Sequence, residues 1–371
     1  MTARTDPPPH TRPGGRELLI SHTHADGTLL SGTTRADDLY RLLRSLGWLY
    51  RRSAADYRLQ ASLDRPAKRG RIQETAAALR ARGFSVAVDI DNTVRAAEDA
   101  EADRATRADG RADRLEVRAE RLREQATGKH AAGRRVLDHI PPGQPYLADH
   151  PGYAADRRRR ERAITNLDQA HQLTTHADHT QRQAEVARDH MRYRHTPETV
   201  ANRIRDIEAE LRATARTRAA GQLHARLLAR GIPCEKIPVG LTELTPDAER
   251  DLADREAHLN EQLAHWRTIR AQQITDGTAT NYTRDHIHTG DLIVHRGTWY
   301  PVLRTNTLTV TVPSFHGTGT NTIRYEHLRG HTEPDHHGWQ EARAAAITTA
   351  YRFAGAAGPH PAIKALAEPP E

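Results

Sequence analysis

The sequence predicts an α+β protein with a small N-terminal α+β domain, a long helical coiled-coil-like middle and a small C-terminal SH3-like β-barrel. Strand-type and helix-type patterns alternate near the N-terminus, a charged, alanine-rich centre follows, and four short β-rich runs lie near the C-terminus. Only 37% of the 371 residues are hydrophobic and 5% aromatic. This composition argues against a single large core, and we expect an elongated molecule.

The N-terminal region contains the strongest short-range folding signals. Residues 1–15 are polar and rich in proline, which predicts a disordered tail, and residues 16–91 form the predicted α+β domain. Within it, "RELLISHTHADGTLLSGT" predicts two strands joined by a turn. A helix follows in "RADDLYRLLRSLG", and Gly47 is suited to the left-handed residue that ends many helices.

The middle of the chain predicts a long helical hairpin over residues 92–195. Its first helix has a thin apolar face at Leu115, Ala119, Leu122 and Ala126. A proline-rich corner at 141–155 interrupts the helical pattern, because proline cannot occupy a helix interior. We expect the second helix to fold back so that the two alanine-rich faces bury each other.

Three further segments complete the predicted organisation. Residues 196–280 predict an antiparallel helical hairpin, with apolar stripes that include Val200 and Trp266. Residues 285–331 predict the small SH3-like barrel, and 332–371 a C-terminal helix and tail.

The charge balance favours an anionic partner. The chain has 55 Lys and Arg against 48 Asp and Glu, a net charge of +7. Clustered basic residues gain free energy by releasing counterions from phosphates, although the excess of arginine also fits the codon bias of a GC-rich genome. The single cysteine, Cys234, excludes an intrachain disulfide and multi-cysteine zinc sites, and it leads us to expect a cytoplasmic location.

Two basic groups are the predicted nucleic-acid contacts. The first accompanies Trp48, Tyr50 and Tyr57, because an exposed aromatic and basic sheet face can hold single strands. The second opens the helix after the corner. The alternative is that the aromatic residues are core and the arginines are solvated or paired with acids. The predicted contacts are Arg51, Arg52, Arg65, Lys68, Arg69, Arg71, Arg157, Arg158, Arg159 and Arg160.

Signals for catalysis are weak. His22, His24 and Asp26 alternate on one face of a strand and could supply three metal ligands, but such residues more often lie on the solvated face of an edge strand while Leu19 and Leu29 face the core. No phosphate-binding loop or nucleophile turn occurs in the sequence. We therefore predict no catalytic residues, no metal ligands and no cofactor, and we favour a non-enzymatic protein.

Several motifs in order resemble the bacterial and phage family called Domain of Unknown Function 3560. They are "HTHADGTLLSGTTRADD", "RGFSVAVDID", "PPGQPYLADH", "TPETVANRI" and "RTNTLTVTV", and the resemblance extends from about residue 16 to 330. It implies a protein of phages, plasmids or other mobile elements. The family-motif residues are His22, Thr23, Gly27, Thr28, Gly32, Gly143, Gln144, Pro145 and His150.

The chain departs from the family pattern after the Gly-Gln-Pro motif. Family members commonly continue with Gly-His-His-Ser-Glu, whereas this chain has "ADHPGYAADRRRR", which matches only His150 and the basic run. A role for the family's paired His and Glu therefore does not carry over to this chain.

These observations favour a non-enzymatic, nucleic-acid-associated protein. The rivals are a metal-dependent enzyme acting on nucleic acid and a structural or protein-interaction module. We expect nucleic acid as the partner, a homo-oligomer or protein partner through the helices as a further option, and no membrane association.

Overall fold

The computed structural model describes residues 17–34, 37–52, 54–141, 143–146, 149–315, 318–355 and 358–368. The tail predicted for residues 1–15 lies outside these ranges. The predicted α+β class is confirmed, with long helices and small sheets. By their contacts, the residues up to Ala100 and those from Pro197 onward form one unit, and Glu101–Thr196 form a second.

The N-terminal part of the first unit, the head, is a five-stranded sheet covered by two helices. The strand order is β3-β4-β2-β1-β5, with β1 parallel to β5 and antiparallel to β2. Strand β1 is therefore interior, not an edge. The elements are β1 Glu17–Thr23, β2 Gly27–Ser31, α1 Tyr40–Ser45, β3 Trp48–Arg51, β4 Asp56–Leu59, α2 Arg69–Arg80 and β5 Ser85–Ile90.

The core of the head lies between the sheet and the two helices. Leu18, Ile20, Leu43 and Trp48 are buried there, and the indole nitrogen of Trp48 donates to Oγ1 of Thr75 at 3.0 Å. This bond satisfies a polar group that would otherwise be buried without a partner. Gly47 follows α1 with a φ of +89°, the left-handed conformation that the sequence predicts.

The second unit is built on two long helices, α3 (Ala97–Leu137, which begins in the first unit) and α4 (Tyr153–Arg194). Small residues at seven-residue intervals are buried on both helices, an arrangement that lets their backbones approach closely. We call this set the alanine interface: Ala112, Ala119, Ala126 and Gly133 on α3, with Ala163, Ala170, Ala177 and Ala184 on α4. Leu115 and Leu122 of the predicted face are only partly buried.

The first unit resumes with two more helices, α5 (Pro197–Ala229) and α6 (Pro246–Thr275), which pack along each other. Trp266 of α6 is buried and has the guanidinium of Arg203, a residue of α5, over its ring. Helix α6 starts as capping rules predict, since the side chain of Thr245 accepts a hydrogen bond from the amide of Ala248.

The C-terminal strands form two three-stranded sheets, ordered β10-β9-β8 and β11-β6-β7, with no closed barrel among the described residues. The predicted SH3-like barrel is thus not confirmed. Strand β7 ends at Pro301, which has no amide hydrogen to donate to a neighbouring strand. The strands are β6 Leu292–His295, β7 Thr298–Pro301, β8 Arg304–Thr305, β9 Thr309–Pro313, β10 Thr320–Arg324 and β11 Gly330–Thr332.

Two helices end the described chain, α7 (Trp339–Phe353) and α8 (Pro361–Ala367). Ala342, Ala346 and Ala350 of α7 are buried, so this helix is packed along one face. No helix within the described residues combines the length and the apolarity that crossing a bilayer requires.

Candidate nucleic-acid interface

Six arginines recur along α3 at alternating intervals of three and four residues. This spacing keeps them on one side of the helix, over about 25 Å at about 1.5 Å per residue. We call them the arginine row: Arg104, Arg107, Arg111, Arg114, Arg118 and Arg121. The row thus follows the same seven-residue repeat as the alanine interface beside it.

Two acidic residues of α3, Asp113 and Glu116, lie on the other side of the alanine interface. Arg111 and Asp113 flank buried Ala112, so they project to opposite sides of it. Asp113 and Glu116 both accept from Nη2 of Arg188 on α4, at 3.2 and 3.0 Å. One edge of the hairpin is therefore neutralised by ion pairs, and the other carries the arginine row.

The described residues of α4 that line the cavity beside the first half of the row include no acidic side chain. This cavity has a volume of about 560 Å³, and Val186 is exposed there over 71% of its surface. An apolar floor with cations around it suits a partner that has both stacked and anionic groups. The lining is Arg104, Arg107, Ala108, Arg111, His179, Arg182, Gln183, Val186, Ala187 and His190.

Several arginines of the row and of the cavity are available to an external anion. Arg111, Arg114, Arg121 and Arg182 have no hydrogen-bond or ion-pair partner among the described residues. Arg104 differs, because it pairs with Glu101, which also accepts from Arg194. These two guanidinium groups hold the pKa of the Glu101 carboxyl below its ordinary value despite its burial.

Comparison with known proteins identifies the segment that carries the row. Residues 103–224 match the model of a family described as Domain of unknown function (DUF3560). No curated protein and no solved structure matches the chain. The DUF3560 match covers about a third of the chain, and it includes the whole arginine row and all of α4. The wider resemblance expected from residue 16 to 330 is thus shown for its central part.

The basic residues predicted in the head have different surroundings. Arg51 makes two bonds to Asp56, and Arg69 donates from Nη1 to Asp251 and Asp254, each at 2.6 Å. These pairs arise within the first unit and occupy both guanidinium groups. Two more of the predicted contacts have partners within the protein: Arg71 pairs with Glu74, and Lys68 donates to the carbonyl of Gln60. A third, Arg65, lines a cavity of about 550 Å³.

Arg52 is the predicted head residue that borders an open aromatic site. A cavity of about 850 Å³ is lined by Arg52 with Tyr40, Tyr50 and Tyr57. Tyr50 is 46% exposed, and its ring centroid lies 5.0 Å from that of Tyr57. Trp48, in contrast, is buried in the core, so only part of the predicted aromatic face is accessible.

The arginines after the corner divide in a similar way. Arg157 pairs with Glu161, while Arg160 pairs with Asp156 and lies over the Tyr146 ring. Arg158 and Arg159 have exposed side chains without such partners among the described residues. Arg158 precedes His179 by three seven-residue intervals, so it lies on the same face of α4 as the cavity beside the row.

The Gly-Gln-Pro corner serves as a turn. Gly143 has a φ of +79°, and the carbonyl of Gln144 accepts from Arg160. Gln144, Pro145 and His150 are exposed, and Nδ1 of His150 accepts from the Gly152 amide at 3.0 Å. These contacts are local, which agrees with a corner between α3 and α4.

The His22, His24 and Asp26 set does not converge as one site. Both histidines face the interior, while Asp26 turns back to bond Thr23. The expectation that Leu19 faces the core and the histidines face solvent is wrong. Strand β1 is an interior strand, and α1 and α2 cover the face of the sheet that carries the two histidines. Leu19 lies on the opposite face and is exposed. The glycines of this motif serve the backbone turns, since Gly27 (φ +75°) and Gly32 (φ +88°) have the left-handed backbone conformation.

The buried histidines instead meet His258 of α6, and we call these three the histidine cluster. The ring centroids of His24 and His258 are 5.3 Å apart, and Nδ1 of His22 bonds Oγ1 of Thr28 at 2.9 Å. Burial lowers the pKa of His22 and of His258 to about 4, and it lowers that of His24 as well. The cluster is thus three neutral imidazoles at neutral pH.

Sequence reasoning missed the arginine row and the histidine cluster for different reasons. The row was visible as arginines at intervals of three and four residues beside a seven-residue alanine repeat. His258 carries no such signal, because its contact with His24 depends on how α6 packs against the head.

Proposed function

We propose that the protein binds nucleic acid through the arginine row of α3 and the adjoining face of α4. The observation that carries the proposal is the segregation of charge on the hairpin, with Arg111, Arg114 and Arg121 unpaired along one edge among the described residues and ion pairs of Arg188 along the other. The family resemblance adds that this activity serves a phage, plasmid or other mobile element in the cytoplasm.

The length of the row favours a polymer over a small anion. A single phosphate would engage one or two guanidinium groups, whereas cations spread over about 25 Å can follow several successive phosphates. Each arginine that contacts a phosphate releases condensed counterions, so the contacts add up along the row. Arginine also suits phosphate oxygens better than lysine, since its planar donors bind two oxygens at once.

The proposed binding is largely independent of sequence. The row supplies contacts to the phosphate backbone, and such contacts position a protein without distinguishing bases. Arg158 and Arg159 continue the basic surface toward the corner. Arg52 and the tyrosines of the head are proposed as a second contact, where unpaired bases can stack on the exposed Tyr50 ring.

The test is binding of the full chain to fluorescently labelled single-stranded DNA, duplex DNA and RNA, followed by anisotropy. The variant R111Q/R114Q/R121Q removes three unpaired arginines of the row. The control R123Q/R188Q/R192Q removes the same charge from residues that pair with acids on α3 and α4. We expect the first variant to bind at least about tenfold more weakly and the control to change affinity by less than about twofold.

Two results would overturn the proposal. One is equal weakening by both triple variants, which would show that only net charge matters. The other is absence of binding to all three nucleic acids at low salt, which would favour the protein-interaction alternative.

A further inference from the structure

Three side chains from distant segments meet at the start of α5. Glu198 lies in the first turn of α5, His295 ends β6, and His327 lies in the short helical turn that follows β10. Each offers one ligand atom, and these atoms all lie within 4.8 Å of one another. Of the residues that the structure describes, no other His, Cys, Asp or Glu group reaches this proximity.

We propose that Glu198, His295 and His327 bind a divalent transition-metal ion, with Zn²⁺ as the best fit. Two imidazoles with one carboxylate are a donor set that Zn²⁺ takes in protein sites. Ca²⁺ and Mg²⁺ fit poorly, since they prefer sites made of oxygen ligands. Three protein ligands leave a coordination position for water or for a ligand atom from outside.

The protonation states suit metal binding at neutral pH. Burial lowers the pKa of both His295 and His327, so both rings are neutral and keep a lone pair. The hydrogen bond from Arg296 lowers the pKa of Glu198, which keeps its carboxylate ionised. The ion therefore competes with few protons for these ligands.

The neighbouring polar groups complete the site. His295 and His327 are stacked with their ring centroids 6.4 Å apart, which holds the two rings side by side. Asn202 places its amide oxygen 3.2 Å from Nε2 of His327. That oxygen also accepts from Nη1 of Arg205 at 2.7 Å, and it orients the ring, as groups behind metal-bound histidines commonly do.

Arg296 opposes a bound cation directly through its contact with Glu198, and the charges of Arg205, Arg324 and Arg329 also act on the two histidines. Its Nη2 lies 2.6 Å from Oε1 of Glu198, and its side chain is 70% exposed. An exposed arginine can turn into solvent at little cost, since a surface ion pair is worth about 1 kcal/mol or less. Arg296 thus weakens metal binding without preventing it. Replacing Arg296 should therefore tighten metal binding, whereas replacing a ligand should weaken it.

The experiment uses the full chain, prepared without a polyhistidine tag and treated with chelator. Zn²⁺ binding is measured by isothermal titration, and Co²⁺ is added separately because its visible absorption reports a low-symmetry site with nitrogen ligands. We expect one tight ion per chain. We expect H295A, H327A and E198Q each to weaken it at least about tenfold, and R296A to tighten it by several-fold.

Controls separate this site from the many other histidines of the chain, which number 23. His336 and His337 are exposed, with ring centroids 4.2 Å apart, and H336A/H337A should leave the tight site unchanged. Far-ultraviolet circular dichroism checks that each variant is folded. The proposal is overturned if the folded chain binds no ion tightly, if H295A and H327A bind as the wild type does, or if R296A weakens binding.

Discussion

Gly133 of α3 lies against the backbone of Ala163 on α4, so closely that a Cβ at position 133 would stand 2.9 Å from the Ala163 carbonyl oxygen and 2.8 Å from Leu167. Such a distance is shorter than ordinary carbon contacts, and the carbonyl belongs to a helix that cannot shift alone. Gly133 thus replaces alanine at the one position of the seven-residue repeat where even a methyl group is too large.

This contact predicts opposite effects for two glycine substitutions in the same helix. Nothing lies within 4 Å of a Cβ built at Gly128, so G128A should raise stability by about 0.5–1 kcal/mol through helix propensity. G133A should lower it by about 1–3 kcal/mol, since overpacking outweighs that gain. Chemical denaturation followed at 222 nm checks both. Equal stabilisation by the two substitutions would contradict close packing at the alanine interface.

A second prediction concerns Arg69, which joins α2 to α6. Its side chain is only 16% exposed and bonds both Asp251 and Asp254, and Asp254 also accepts from Asn92 at 2.7 Å. R69M leaves two carboxylates without their main donor, so we expect a loss of about 1–3 kcal/mol. R71A is the matched control, because Arg71 and Glu74 form an exposed pair worth about 0.5 kcal/mol at most.

Denaturation of these two variants alongside the wild type measures the difference. If R69M and R71A unfold at the same denaturant concentration, the Arg69 pairs contribute no more than surface pairs do. The assignment of Arg69 to the interior of the first unit would then be wrong.

The histidine cluster predicts that stability falls with pH before the carboxylates titrate. The folded-state pKa of His22 and of His258 is about 4, against an ordinary value of 6.5, so the unfolded chain binds more protons between these pH values. Stability from the cluster is therefore complete above about pH 6.5 and decreases as the pH falls toward about 4. Thermal unfolding should shift down by several degrees between about pH 7 and pH 5.

A double variant tests whether the cluster causes this shift. H22Q/H258Q should reduce the dependence on pH, while H336Q/H337Q, which changes two exposed histidines, should preserve it. A melting temperature that is the same at both pH values in the wild type would show that the histidines are not buried as neutral rings.

The exposed Tyr50 predicts a preference for single strands at the head. Y50A removes a stacking surface beside Arg52, so affinity for single-stranded DNA should fall several-fold, given about 1–3 kcal/mol per stacked base. Duplex affinity should be unchanged, because paired bases are not free to stack. Y351A, at another exposed tyrosine, is the control. A uniform effect of Y50A on both substrates, measured by anisotropy, would remove the head from the proposed interface.

Local features of the fold were predictable from sequence where neighbouring residues determine them. Gly47 was correctly placed after a leucine-faced helix, and Ala119 and Ala126 were correctly placed on the buried face of α3. The C-terminal β-rich region was predicted as four runs, whereas its described residues form six strands, and their pairing was not predicted. Whether β9 joins β6 or β8 depends on long-range packing, so a closed barrel and two separate sheets have similar local patterns.

The candidate sites were harder to predict because they depend on contacts between distant segments. Arg69 and Asp251 are 182 positions apart, and no local pattern shows that this arginine is neutralised while Arg111 is not. Glu198, His295 and His327 likewise meet only after α5 and the C-terminal sheets pack together. Residue type and spacing indicated which kinds of chemistry the chain could perform. Which residues come together to perform it depends on how the distant segments pack.

The salt dependence of DNA binding tests the central claim most directly, because it counts the phosphate contacts that the arginine row makes. The logarithm of the association constant is measured against the logarithm of salt concentration for the wild type and for R111Q/R114Q/R121Q. Each lost contact reduces the slope by about 0.7–0.9, so the variant should show a slope shallower by about 2–3. An unchanged slope would show that nucleic acid does not contact the row and would contradict the proposed function.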